Sequence, residues 1–140
     1  MKESQHPDTH IEARLRVRYA ETDQMGMAYY ANYLVWFEVG RAEYCRHRGL
    51  AYRDLERQHG IYLPVAEAYC RYITPARYDE EILVRTRLSQ LRTRALTFHY
   101  QILRAADETL LAEGRTVHIV LNAAGRPRTL PSEVAKALQA

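Results

Sequence analysis

Between Asn32 and about Arg48 the chain carries a helical pattern that is apolar on more than one side, and few folds have room for such a helix. Tyr33, Trp36 or Phe37, Gly40 and Tyr44 recur at helical spacing, and Leu34, Val35 and Val39 lie between them. A helix apolar most of the way round is as a rule buried, so the other elements must surround it. Gly49 follows as its C-terminal stop.

Most of the remaining chain reads as strand. Ile11, Ala13, Leu15, Val17 and Tyr19 alternate with Glu12, Arg14, Arg16 and Arg18, the pattern of a half-buried strand over 11–19. A short helical turn over 52–58 stops at Gly60. Four further strands are predicted at about 62–73, 81–91, 96–104 and 110–121; in the second of them Ile82, Val84, Thr86 and Leu88 alternate with Leu83, Arg85, Arg87 and Ser89. The last strands are joined by short connections, which favour antiparallel hairpins over parallel crossovers. Residues 122–128 form a turn, and a short helix follows from Pro131. The spacing therefore predicts an α+β fold, a five-stranded antiparallel sheet wrapped around one long central helix. Residues 1–10 are expected to be a flexible segment and 11–140 a single domain.

Composition excludes several alternatives. Hydrophobic residues make up 47% and charged residues 26%, near the globular average, which argues against a disordered chain or a coiled coil. The net charge is +3, with bases interleaved among acids, so nucleic-acid binding is disfavoured. All basic residues but Lys2 and Lys136 are arginine, a bias that suits an anionic ligand and equally follows from a GC-rich genome. No run approaches the ~18 apolar residues of a membrane span, and the first ten residues contain no signal-peptide core. Cys45 and Cys70 lack the spacing of a zinc knuckle or redox pair and are expected to be reduced, buried thiols of a cytoplasmic protein. The six histidines show no metal-ligand spacing, so neither a metal site nor a Ser-His-Asp triad is expected.

Residues 19–33 place one carboxylate, Asp23, in a loop three residues before Gly26, directly ahead of the aromatic-rich helix. A helix start offers free backbone N–H groups and a partial positive charge, and the loop beside it aims a carboxylate at whatever those donors hold. This arrangement suits acyl transfer, in which one group activates water or attacks while an N–H stabilises the oxyanion. Among the other acids, Glu21 and Glu38 are set outside the catalytic set, and Asn32 reads as the helix cap. Tyr29, Tyr30 and Tyr33 suit an aromatic acyl pocket and equally core packing or a subunit contact.

With these residues the chain resembles the hotdog-fold acyl-CoA thioesterases of the 4-hydroxybenzoyl-CoA thioesterase family, particularly the bacterial subgroup associated with the Tol-Pal system. The likeness runs from about Arg16 to Pro131. Its strongest element is Tyr-x-Glu-Thr-Asp-x-x-Gly-x-x-Tyr-Tyr-x-Asn-Tyr at 19–33, and a weaker one is Tyr72-Ile-Thr-Pro-Ala-Arg-Tyr-Asp-Glu. The resemblance implies that Asp23 is the catalytic carboxylate, as nucleophile or as general base, and that the N–H of Tyr30 polarises the thioester carbonyl. Many members of the subgroup carry His where Tyr30 stands; a role carried by the backbone amide survives that change.

Gly26 would let the loop backbone pass close to the thioester. By position, Leu63, Pro64 and Val65 correspond to the family's acyl or pantetheine channel, and Arg92 and Arg94 to its contacts with the nucleotide phosphates of coenzyme A. No cofactor is implied. The reading that competes with an enzyme is a non-catalytic hotdog module that binds acyl-CoA or acyl carrier protein. A hotdog dehydratase would want a His paired with Asp23, and none lies between His10 and His47. A lone sheet around one helix leaves two edges open, so a homodimer is expected at least, and a homotetramer by further pairing.

Overall fold

The helix expected from residue 32 runs Asn32–His47 (α1) in the computed structural model, which describes residues 10–139. Of the segment expected to be flexible, 1–10, all but His10 lies outside the described residues. The strands are β1 (Ile11–Arg16), β2 (Val65–Tyr72), β3 (Glu81–Leu91), β4 (Ala95–Arg104) and β5 (Leu110–Ile119). Two shorter helices, α2 (Tyr52–His59) and α3 (Ser132–Gln139), complete the list, with a 3-10 turn at Tyr19–Glu21. The strands make one antiparallel sheet in the order β1-β3-β4-β5-β2, curled around α1 in the hotdog arrangement.

Two strands are shorter than their alternation suggested. β1 stops at Arg16, although Val17 still donates its N–H to the Glu80 carbonyl, because the backbone then winds into the 3-10 turn. β2 starts at Val65, since Pro64 has no N–H to give a ladder, and Tyr62 keeps only an isolated bridge to Leu121.

The core is aromatic where helix meets sheet. Phe37 stacks flat on Tyr100 of β4 with ring centroids 4.3 Å apart, and Tyr44 meets Phe98 edge-on at 5.6 Å. Gly40 lets α1 sit close on β3: a Cβ there would collide with Thr86 Oγ1 and stand 2.7 Å from Val84 Cγ1. Cys45 is fully buried, and burial pushes its thiol up to about 12; Cys70 is half-buried on β2.

The helix is not buried all round, as its apolar pattern had suggested. Leu34, Val35 and Val39 are 39%, 48% and 37% exposed, on the side of α1 that the sheet does not reach. β2, beside them at the sheet edge, is exposed along its whole length except for Cys70. One curled sheet covers one side of a helix, and the other side must be covered by something else.

Gly40→Ala tests the helix–sheet contact. Alanine gains about 1 kcal/mol in helix propensity, but overpacking against two β-branched side chains on a central strand costs up to about 3 kcal/mol. A net loss of about 1–2 kcal/mol is expected in urea unfolding. A variant at least as stable as the parent would show that β3 gives way freely at this contact.

Candidate active site

The loop after β1 folds into a small hairpin. Thr22 bridges to Ala28, the Asp23 N–H donates to the Met27 carbonyl at 2.8 Å, and Gly26 turns the chain at φ +75°, where a side chain would be strained. Asp23 is half-buried. Its Oδ1 accepts from the Met25 N–H at 2.8 Å and the Met27 N–H at 3.3 Å, while Oδ2 meets no donor among the described residues. One oxygen thus fixes the loop and the other is uncommitted.

The hairpin is bolted to α1 by Glu21, which is only 5% exposed. Its Oε1 accepts from the Arg18 N–H at 2.8 Å and Arg18 Nε at 3.3 Å, and its Oε2 accepts from Trp36 Nε1 at 2.8 Å. The Glu21 carbonyl in turn accepts from the Tyr29 N–H and from Asn32 Nδ2, both at 2.8 Å. Asn32 is therefore not the helix cap that its residue type suggested. Ala31 holds the cap position and no side chain caps the helix, because the Asn32 amide is turned back to the loop. The Tyr30 N–H, just ahead of the helix, has no acceptor among the described residues and stands open at the positive end of α1.

Tyr72, the last residue of β2, holds the next peptide, between Tyr30 and Ala31. Its hydroxyl donates to the Tyr30 carbonyl at 2.9 Å, and its ring meets Tyr30 edge-on at 6.4 Å and Tyr33 at 4.9 Å. Burial pushes the Tyr72 hydroxyl up to about 12, so it remains a donor near neutral pH. Its place beside Tyr30 was not evident from the sequence, where its only signal was an aromatic residue opening the 72–80 segment. Of the three tyrosines with a possible pocket role, Tyr33 is buried in the core and accepts from the Ala76 N–H at 3.1 Å. Tyr29 and Tyr30 lie against each other at 4.7 Å, 48% and 60% exposed.

The remaining expected residues lie elsewhere in the protomer. Leu63, Pro64 and Val65 line a cleft of about 530 Å³ with Glu38, Arg41 and Tyr52, at the opposite end of β2 from Tyr72. A buried chain of hydrogen bonds holds this segment: Tyr100 OH to Thr116 Oγ1 at 2.6 Å, Thr116 Oγ1 to His118 Nε2 at 2.8 Å, and His118 Nδ1 to the Leu63 carbonyl at 3.0 Å. A carbonyl only accepts, so the Leu63 contact sets His118 as the Nδ1–H tautomer. Arg92 and Arg94 are exposed in the β3–β4 turn. The Asp23 hairpin packs beside the start of β3, through the Met27–Arg77 bridge and the Tyr78 N–H on the Gly26 carbonyl. Those arginines leave the other end of β3, roughly 35 Å along the strand. One protomer thus brings together Asp23, Gly26, Tyr29 and Tyr30. Among the described residues no three His, Cys, Asp or Glu side chains converge as a metal site, and no helix is long and apolar enough to cross a membrane.

Comparison with known proteins shows the family. Residues 17–138 match the model of the thioesterase-like superfamily. YneP of Bacillus subtilis (strain 168), which carries an acyl-CoA thioesterase name, is 38% identical over 108 residues, covering 77% of this chain and 77% of its own. The acyl-CoA thioester hydrolase YbgC of Escherichia coli O157:H7 is 29% identical over 121 residues, 86% of this chain and 89% of that one. The solved structure of a DHNA-CoA thioesterase from Staphylococcus aureus superposes with a TM-score of 0.85 at 30% identity, covering 93% of this chain and 91% of its own.

The relay behind Leu63 has a pH signature. Burial pulls His118 down from 6.5 to about 4, so between those values the unfolded chain binds a proton that the folded one refuses. Stability should therefore fall as pH drops from about 6.5 to about 4, by up to about 3 kcal/mol, and level off below. Urea unfolding of the parent and of His118→Asn at pH 7 and pH 4.5 measures it. The same pH slope in both proteins would remove His118 as its source.

Proposed function

The chain belongs to the thioesterase-like superfamily and is an acyl-CoA thioesterase, and we propose that it cleaves the thioester between Asp23 and the N–H of Tyr30, in a site completed by a second copy of the chain. The observation that carries this reading is the uncapped start of α1 beside a carboxylate with one uncommitted oxygen. The thioester oxygen accepts from the Tyr30 N–H, where the helix end adds about half a unit of positive charge. A preorganised donor of this kind is worth about 3–4 kcal/mol as negative charge develops on that oxygen. Asp23 takes a proton from water as it attacks the carbonyl carbon, or attacks that carbon itself to form an anhydride that water then opens. In either route the C–S bond breaks, and CoA and the free acid leave.

The second copy follows from the sheet edges. β1 guards its edge with Glu12, Arg14 and Arg16, whereas β2 is long, exposed and only lightly charged. Antiparallel pairing of β2 with its own copy would lay Leu63, Pro64 and Val65 of the second copy beside Tyr72 and Tyr30. It would also cover Leu34, Val35 and Val39. Arg92 and Arg94 of that copy stand at the same end of its sheet, because β5 and β4 carry the register across from Val65 through His118 to the 92–94 turn. There they are suited to the phosphates of CoA. This reading takes residues 11–140 as one domain of a cytoplasmic homodimer or homotetramer. It keeps the kinship with the Tol-Pal-associated subgroup on the strength of the 19–33 motif, and leaves acyl carrier protein as a further acyl donor.

Asp23→Asn should lower acyl-CoA turnover by about 10² or more with the fold intact, the scale of losing a general base. A thiol-reporting dye measures the turnover, and equal activity in the variant would remove Asp23 from the chemistry. A parent protein that binds CoA esters without releasing thiol would instead be a binding module. In sedimentation at micromolar concentration a dimer or larger assembly is expected, and a stable monomer would contradict the shared site.

A further inference from the structure

The face of the sheet turned away from α1 carries an unbalanced row of charge. Thr86 packs under Gly40, so its neighbour Arg87 points outward, and the strand register sets Arg87 beside His99, His99 beside Arg115 and Arg115 beside Tyr69. His10, just ahead of β1, stands next to Arg87 and extends the row across all five strands. All five residues line one cleft of about 430 Å³, within the range of small-molecule sites, and Arg85 and Glu113 of the next row line it too.

The neighbouring row, two residues along, shows how this sheet normally treats such charges. There Glu12, Arg85, Gln101, Glu113 and Arg71 lie side by side, with Arg85 bonded to Glu12 at 2.5 Å and to Glu108 at 2.6 Å, and Arg71 facing Glu113 at 3.8 Å. The row of Arg87 and Arg115 contains no acid. Neither arginine forms an ion pair among the described residues, and Arg115 lies over the Tyr69 ring at 5.0 Å. Glu113 is engaged by Arg71, and Glu67, on the same face of β2, pairs with neither. Like charges near one another on a sheet cost stability unless an anion compensates them.

We propose that this row is an anion site that takes a small molecule bearing a diphosphate. The two guanidinium groups start two strands apart, about 10 Å, a span that a phosphate chain bridges and a lone carboxylate does not. Each presents the planar fork that matches phosphate oxygens. A second copy of the same face is a poor occupant, since it would set cation against cation.

Calorimetry of the full chain with inorganic pyrophosphate, ADP and uncharged adenosine tests the assignment. Pyrophosphate and ADP should bind, more weakly as salt rises, and adenosine should not. Tighter binding of ADP would assign a nucleotide, and equal binding the phosphate chain alone. The double variant Arg87→Gln, Arg115→Gln should lose affinity by about 10-fold or more while thiol release from acyl-CoA and the unfolding midpoint are kept. Arg87→Gln alone gives the same reading if the pair fails to fold. In the Arg92→Gln, Arg94→Gln background pyrophosphate should still bind and should still be lost on Arg87→Gln, Arg115→Gln, which separates this row from the CoA phosphates. Absence of binding to the parent, loss only in the 92/94 variant, or a change of oligomeric state in the 87/115 variant would each overturn the proposal.

Discussion

The carboxyl group of Glu21, buried between the Trp36 indole and the Arg18 amide, holds the rest of the site in place. It receives three N–H donors, so its burial leaves little polar capacity unmet. Its own carbonyl takes the Tyr29 N–H and the Asn32 side chain, and through them fixes where the hairpin ends and where α1 begins. The Asn32, Tyr33 and Leu34 N–H groups that follow are taken by the Tyr29, Tyr30 and Ala31 carbonyls, and the Tyr30 N–H just ahead of them is left without an acceptor among the described residues.

A second constraint is geometric. Gly40 lets α1 settle onto Val84 and Thr86, and the sheet curls around that contact, but five strands reach only one side of the helix. The uncovered side holds Leu34, Val35 and Val39, and it adjoins β2, the more lightly charged sheet edge. The same incompleteness separates the site residues. Asp23 and Tyr30 lie at one end of β2 and Leu63 to Val65 at the other, held there by the His118 relay. The proposed twofold arrangement of antiparallel β2 strands would bring these ends together, and it would bury the exposed apolar side of α1 in the same step.

β3 and β4 were legible in the sequence because each is buried on one face, and one-sided burial writes itself as alternation in segments such as 82–88. The ends were less legible: β1 was read to Tyr19 because the alternation outlasts the ladder, which the 3-10 turn cuts short. Leu34, Val35 and Val39 were read as buried, since an apolar pattern demands cover without saying whose chain supplies it. Asn32 was read as a cap from its residue type, and only its tertiary partner, Glu21, 11 residues earlier, decides otherwise. Tyr72 could not be placed at all, because its partner lies 42 residues away. The turn holding Arg92 and Arg94 was evident, but not which end of the sheet it occupies. Distances between elements come from the order β1-β3-β4-β5-β2, which no local pattern encodes.

Position 30 shows why a side chain and its backbone should be argued separately. The resembled subgroup often has His there, yet the proposed donor is the amide N–H, which lies between the Tyr29 N–H held on the Glu21 carbonyl and the Tyr30 carbonyl held on Tyr72. The Tyr30 ring packs on Tyr29 and meets Tyr72 edge-on, and it is 60% exposed. Its identity therefore governs what rests against the open end of α1 more than whether the donor exists. A tyrosine contributes a flat, apolar ring with a polar tip. In this chain the surface beside the proposed donor is accordingly aromatic.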